Sequence, residues 1–539
     1  MEIIDAHTKG IMEECKSRAR AKGLDDGGES LEFIVTNQDM IKLSPKIMIP
    51  TLYDYWANDV AVIQGQKRFE VFPSNPYETV INTRPSISFY NDNNPDWVNV
   101  FIFYHVIGHI DFFRNNYLFT NTWDDDFKAQ ALAHKRTIAN LRLKHGRWLD
   151  YVIEFSRGID NLAGFHQEIS QAQDFRKNYQ QNRINFYFDQ FLQNIEKVHI
   201  TDYNREIERY NQTIRKARES NQEQSLAETL FFAEVKSKHP EFESKFKKFK
   251  RKKTSKPKDL MEFLLSHSPK LDRKENGWMK SVMEIVRTTS LYFQPQIRTK
   301  IINEGWASYW HQNLFLEDDR IRGHEVDFAK IDAGVTSLQR AGLNPYAIGL
   351  RLIQYAEELA DKGKLGHDFE LIRDIYDRRN FDKKTKKGNE FIFHLRKNYS
   401  DFQLINEFVD QDFVDKHNLF VAGKRINFEK DTWEYYIKSR KAEDYKQMLL
   451  DSLYHPPKII IDEEKSKEGS LYLKHIYEGK PLEASYIPHT MIGIEYIWGG
   501  PVKLETIEWF KEQQFEQHTE RKVIYEVRDR KVDKLFVQE

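Results

Sequence analysis

The stretch from Val98 to Phe113 is the most apolar in the chain, yet His105, His109 and Asp111 interrupt it. A run this short and this polar does not span a bilayer, which takes about 20 predominantly apolar residues. Its periodicity predicts a helix over 96–115. On that helix His105 and His109, four residues apart in Tyr104-His-Val-Ile-Gly-His109, share one face and can grip one ion. This is the spacing of the His-Glu-x-x-His zinc helix. Gly108 leaves room for a second helix to approach. Two histidines packed in a core would show the same spacing, so this motif alone does not define a metal site.

A second motif, Asn303-Glu-Gly-Trp-Ala-Ser-Tyr-Trp-His311, adds weight. Glu304 opens an apolar, aromatic helix, where a carboxylate is costly unless paired. A metal would satisfy it; the positive end of the helix dipole would also favour it. Glutamate-zincins draw two histidines from one helix and a glutamate from a later one. Here the two motifs lie 195 residues apart (304 minus 109), a gap that a helical fold can close. The expected ligands are therefore His105, His109 and Glu304, and the expected cofactor is a divalent metal, with zinc ahead of iron or manganese.

Position 106 is Val where a zincin has its general-base glutamate. A hydrolase here needs another base, and Asp111, Glu154, His166 and His311 are candidates. Asp111 and His311 are taken as the catalytic pair. Asp111 also fits as an acceptor for an imidazole N–H, and His311 as a fourth ligand or a packed histidine. His166 and Glu168 read as helix-surface residues. Arg287 and Lys300 suit either an anionic substrate group or structural ion pairs.

The remaining composition narrows the class. The 539 residues are 40% apolar and 31% charged, with net charge −1, which excludes neither fold nor catalysis but gives no sign of a nucleic-acid or membrane binder. Cys15 is the single cysteine. It allows neither a disulfide within the chain nor a cysteine zinc knuckle, and a presumed surface helix gives it no nucleophile pattern. The N-terminal residues lack an apolar signal-peptide core, so a cytoplasmic location is expected. No phosphate loop, Gly-x-Ser-x-Gly elbow or dinucleotide fingerprint occurs.

The expected fold is mainly α: a large helical domain with zincin-like metal-binding helices, plus a small C-terminal α+β domain. Residues 1–95 read as a mixed N-terminal segment packed on the core. Residues 96–420 read as the metal-site domain, with 204–258 a charged, mobile insertion. Within it, Lys245–Lys258 is a basic run in which Phe246 and Phe249 suit either a solvated helix end or a stacking surface. Residues 421–539 form the α+β domain, with Lys458–Asp462 and Ser470–Tyr477 among its strands and a helix over Ile507–Glu516.

At these motifs the sequence resembles the stage V sporulation protein R (SpoVR) family. His105-Val-Ile-Gly-His-Ile-Asp-Phe-Phe-Arg-Asn-Asn116 is similar to one family block. Tyr292-Phe-Gln-Pro-Gln296, Thr299-Lys-Ile-Ile-Asn-Glu-Gly-Trp-Ala307 through His311, and Leu343-Asn-Pro-Tyr-Ala-Ile-Gly-Leu350 are similar to others, and Tyr496-Ile-Trp-Gly-Gly500 resembles the family's C-terminal part. Asp54-Tyr-Trp56 departs from the family's His-Trp-x-Phe-Gly segment, which marks a distant member. The resemblance implies a link to spore cortex or stress physiology, with a peptidoglycan-related amide or peptide as substrate. It also implies a serine-kinase-like ATPase and a von Willebrand-type protein as partners. Three readings stand side by side: a metal-dependent hydrolase, a non-haem iron or manganese protein, and a regulatory metal protein that binds partners.

Overall fold

The computed structural model describes residues 2–43, 64, 67, 78–83, 85–122, 127–164, 183–184, 186–196, 198–219, 224–246, 259–339, 342–427, 432–466, 469–511 and 518–537. It is mainly helical with three small sheets. The chain forms two compact units, each assembled from separated stretches: Met1–Ile153 with Glu284–Pro456, and Glu154–Met283 with Pro457–Glu539.

The first unit is organised around α2 (Asp96–Asn115), which follows α1 (Ala6–Ala21) in the chain. Sixteen consecutive residues of α2, Val98 to Phe113, are buried. A helix apolar on every side has no solvent face and is stable only at the centre of a core, so its two histidines and Asp111 are buried with it. Against α2 lie α3 (Lys300–Leu316), then α5 (Pro345–Asp361), with α4 (Glu325–Thr336), α6 (Gly388–Asn398) and α7 (Asp401–Phe408) around them. Asp401 fixes where α3 begins: its two carboxylate oxygens accept from the Ile301 and Ile302 amides at 2.9 and 2.8 Å. These are two of the amides that a helix start leaves without internal partners.

Glycine sets the helix separations. A Cβ on Gly108 of α2 would lie 2.8 Å from Ala307 Cα of α3. A Cβ on Gly305 would lie 2.6 Å from Gly349 Cα of α5. At both crossings a bare backbone is the only surface that fits.

A four-stranded sheet flanks α2. It contains β1 (Glu2–Ile3), β2 (Ser30–Val35), β3 (Glu78–Ile81) and β4 (Ser86–Asn91) in the order β1-β2-β4-β3, with β2 and β4 parallel and the other pairs antiparallel. Alternation along β3 turns Val80 toward the main core and Ile81 toward a small cluster with Val35, Met40 and Phe89 on the other face. A separate ribbon pairs β5 (Val421–Asn427) with β6 (Thr432–Ser439).

Beside the end of α3, Asp318 ties α1 to α2. It accepts from Tyr104 Oη at 2.7 Å and pairs with Arg320 at 2.6 Å, while Arg320 reaches Glu14 of α1 at 3.1 Å. Burial alone would raise the Asp318 carboxyl, but Arg320 and Tyr104 outweigh it and hold it down at about 2. A pKa below the unfolded value of about 3.8 contributes stability that is present above that value and is lost as pH falls through the folded pKa. Asp318→Asn is therefore expected to lower the unfolding free energy at neutral pH by about 2 kcal/mol. Urea melts should show the gap to the native chain narrowing between pH 4 and pH 2.

In the second unit, residues 204–219 and 224–246 are not merely a charged surface. The helices Ile200–Glu219 and Gln224–Lys238 pack round a cluster containing Phe186, Tyr187, Phe191, Phe231, Phe242 and Phe246. Phe246 is thus a core residue rather than a stacking platform, and Lys245 pairs with Glu196 at 2.9 Å. Phe249 and the rest of the basic run lie outside the described residues.

The unit also holds a five-stranded sheet ordered β11-β10-β9-β8-β7, made of β7 (Lys458–Ile461), β8 (Leu471–Ile476), β9 (Val502–Lys511), β10 (His518–Arg528) and β11 (Lys531–Phe536). The helix expected from Ile507 is instead the second half of β9. One face buries Val502, Leu504, Thr506 and Glu508, a period of two concealed by the last two being polar and by Glu505 being buried as well. Glu508 is satisfied inside by Tyr525 Oη and by Lys534 at 2.6 Å.

Candidate metal centre

One helical turn of α2 and the first turn of α3 meet across the Gly108–Ala307 contact. There His105, His109 and Glu304 converge, each offering a ligand atom, with these atoms within 4.8 Å of one another. Glu304 Oε2 lies 3.4 Å from His109 Nε2 and 3.7 Å from His105 Nε2. Two ligands of one tetrahedral zinc, each about 2.1 Å from it, stand roughly 3.4 Å apart.

Hydrogen bonding settles which imidazole nitrogens face inward. Asp332 of α4 accepts from His311 Nε2 at 3.0 Å, and its other oxygen takes Gln312 Nε2 at 2.7 Å. A neutral imidazole donating at Nε2 accepts at Nδ1, so His311 Nδ1 receives the proton of His105 Nδ1, 2.8 Å away. His105 is left with a bare Nε2 lone pair. His109 reaches the same state by another route: its Nδ1 donates to Asn303 Oδ1 at 3.0 Å. Metal-bound histidines show this arrangement, with the outer nitrogen donating to a fixed acceptor.

Two lone pairs and a carboxylate thus face each other in a buried space and repel unless a cation joins them. His105 Nε2 and Glu304 Oε2 are buried with no hydrogen-bond partner among the described residues. A proton on an imidazole is one such cation, and the proton affinities reflect it. Burial favours a neutral Glu304, but the two imidazoles outweigh it and hold the carboxyl far below its usual range. Burial lowers His109, yet Glu304 and Asn303 raise it overall. His105 is lowered, chiefly by burial. The residues present fit a divalent metal.

Two further groups border the cluster. Glu78, at the start of β3, places Oε1 4.0 Å from His105 Nε2. Its carboxyl is raised, first by burial and also by Glu304. The Tyr346 ring stacks on His105 at 5.9 Å, and its phenol is held protonated mainly by the Glu304 charge.

Several sequence expectations change here. Asp111 does not face the imidazoles. Its carboxylate takes Arg396 at 2.6 Å, Trp306 Nε1 at 2.8 Å and the Asp25 amide at 2.8 Å, which makes it a joint between α2, α3 and α6 rather than a proton carrier. His311 has both nitrogens engaged, so it is a positioning residue and not a fourth ligand. Glu154 and Lys300 are exposed on their helices. Cys15 is buried, not on a surface, and burial pushes its thiol up to about 12, away from nucleophilic use. His166 and Glu168 lie outside the described residues. The residues that the sequence reading missed are Glu78, Asn303, Asp332 and Tyr346. Asn303 stood within a motif already singled out; Glu78 and Asp332 carry no local pattern at all.

Among the described residues, no helix is long and apolar enough to cross a membrane. No solved structure matches the chain. The uncharacterized protein YcgB of Escherichia coli (strain K12) is similar, 23% identical over 334 residues, which is 60% of this chain. The match spans 58% of that relative's length. A family model described as SpoVR like protein matches residues 6–455. That range contains α2, α3, β3 and α4, and with them every residue of the cluster and its supports. The chain belongs to the SpoVR family.

Proposed function

We propose that this chain hydrolyses an amide or peptide bond at a zincin-like metal site held by His105, His109 and Glu304. The observation that carries the reading is the convergence of His105, His109 and Glu304, with His105 Nε2 and Glu304 Oε2 buried and without a hydrogen-bond partner among the described residues, and a further carboxylate, Glu78, beside them. A divalent ion in such a ligand set polarises a carbonyl oxygen and lowers the pKa of a water.

The chain's own groups have distinct tasks. Glu78 takes the place that Val106 leaves vacant on α2: its carboxylate, 4.0 Å from His105 Nε2, is placed to accept the proton of the attacking water and return it to the leaving amine. Tyr346, protonated and close by, donates to the oxygen on which charge develops. Asn303, His311 and Asp332 hold the two imidazoles in the tautomers that the site requires. The family resemblance makes peptidoglycan-derived amides the first substrates to assay. An ATPase and a von Willebrand-type partner remain proposals on that same ground.

Glu78→Gln is expected to keep fold and metal content while lowering kcat by 10²–10⁴-fold, about the contribution of a positioned acid–base group. An unchanged rate in that variant would remove Glu78 from the chemistry. A second reading, a non-haem iron or manganese protein, is favoured by the two-histidine, one-carboxylate set itself. Elemental analysis of protein purified without added metal separates the two: zinc supports the hydrolase, iron the alternative.

A further inference from the structure

Among the described residues, β3 is an outer strand of its sheet. Glu78, Thr79, Val80 and Ile81 pair with Tyr90, Phe89, Ser88 and Ile87 of β4 on one side. Beyond that pairing, among the described residues, the one backbone bond these residues make is at the Ile81 carbonyl, which accepts from Thr83 N–H at 2.9 Å. Natural edge strands are usually blunted by Lys, Pro, a bulge or a covering segment, because open backbone groups recruit other chains. β3 has none of the first three: Thr79-Val80-Ile81 is β-branched throughout, and its register is continuous.

The position of this edge matters more than its openness. Glu78 at its start touches the metal cluster. The cluster meets solvent at its carboxylates: the Glu78 and Glu304 side chains are 18% and 17% exposed, whereas those of His105 and His109 are 6% and 9%. A strand added to β3 would run about 4.8 Å from it, alongside the strand that begins at Glu78.

We propose that the open edge of β3 receives the substrate as an extended polypeptide, backbone to backbone, and so carries one of its peptide bonds over the His105–His109–Glu304 cluster. Recognition of this kind takes its affinity from main-chain hydrogen bonds and tolerates many sequences. Side chains of the added strand would alternate between the α2 side and the opposite face. The cleavage rests on the hydrolase reading above; the pairing does not.

Hydrogen exchange on the full-length, metal-free protein tests the pairing, with a library of random-sequence dodecapeptides as probe. The amides of residues 78–81 are expected to exchange about tenfold more slowly with peptide. A library N-methylated at alternate amides is expected to give no protection, since it lacks the donors. Absence of protection, or equal protection by both libraries, overturns the proposal. So does protection that appears without peptide and grows with protein concentration, which would assign the edge to a second copy of the chain. Mass spectrometry of the unmodified library after incubation with metal-loaded protein tests the chemistry separately. Cleavage without protection of β3 keeps the hydrolase and rejects the edge. Protection without cleavage keeps the edge and rejects the hydrolase.

Discussion

Chelation is expected to destabilise the native chain strongly and a His109→Ala variant hardly at all. An ion bound by the folded state alone adds RT ln(1 + [L]/Kd), about 4 kcal/mol when the free ion stands 1,000-fold above Kd. The native chain should therefore lose roughly that much on adding EDTA, read from urea melts with and without chelator. His109→Ala removes one of three ligands, a larger loss than the 10–100-fold that an outer hydrogen-bond partner typically accounts for. Glu304→Gln sharpens the comparison. The imidazoles favour the Glu304 carboxylate over its protonated form, so this variant should be less stable than the native chain without metal, and by a larger margin with it. A native chain whose melting ignores both zinc and chelator would mean that the cluster holds no ion.

Gly305→Ala is expected to cost at least the 1–3 kcal/mol typical of an overpacked core, and to abolish metal binding as well. The added methyl meets the Gly349 backbone, which cannot rotate away as a side chain would. Relief requires α3 and α5 to part, and Glu304 is the residue next to the displaced one. Gly108→Ala should act in the same direction through Ala307. Gly10→Ala is the control. Gly10 is exposed on α1, with no atom within 4 Å of the added Cβ. There alanine should raise stability by up to about 1 kcal/mol, the difference in helix propensity. Thermal melts and metal content measured on all three variants separate an effect of helix spacing from a general dislike of alanine.

Much of the ligand cluster could be read from sequence because each half carries its own signal. His105 and His109 are local neighbours, and Glu304 stands out as an acid in an aromatic helix. Their supports could not be read this way. Asp332 and Glu78 are ordinary acids in unremarkable segments, and only the fold brings them to His311 and His105. The opposite error befell Asp111: proximity in sequence to His109 suggested chemistry, but two residues along a helix turn a side chain about 200° away. Polar residues in buried positions caused the other misreadings. Glu508 concealed the alternation of β9, and the charges around Phe242 and Phe246 concealed an aromatic cluster. Hydrophobic periodicity shows where apolar groups go, and it fails where a polar group is buried with a partner that the sequence places far away.

The ligand set is divided between two stretches of the first unit, and the chain between them, residues 154–283, belongs to the second. During synthesis His105 and His109 emerge long before Glu304, and alone they offer two neutral donors with nothing to balance a dication. Asn303, His311 and Asp332, which fix the imidazoles, arrive later still or with Glu304. An ion held by this cluster would therefore not serve as a nucleus around which early folding condenses. It would enter a finished scaffold, and its retention would mark a chain that has been translated through α4 and correctly closed upon itself.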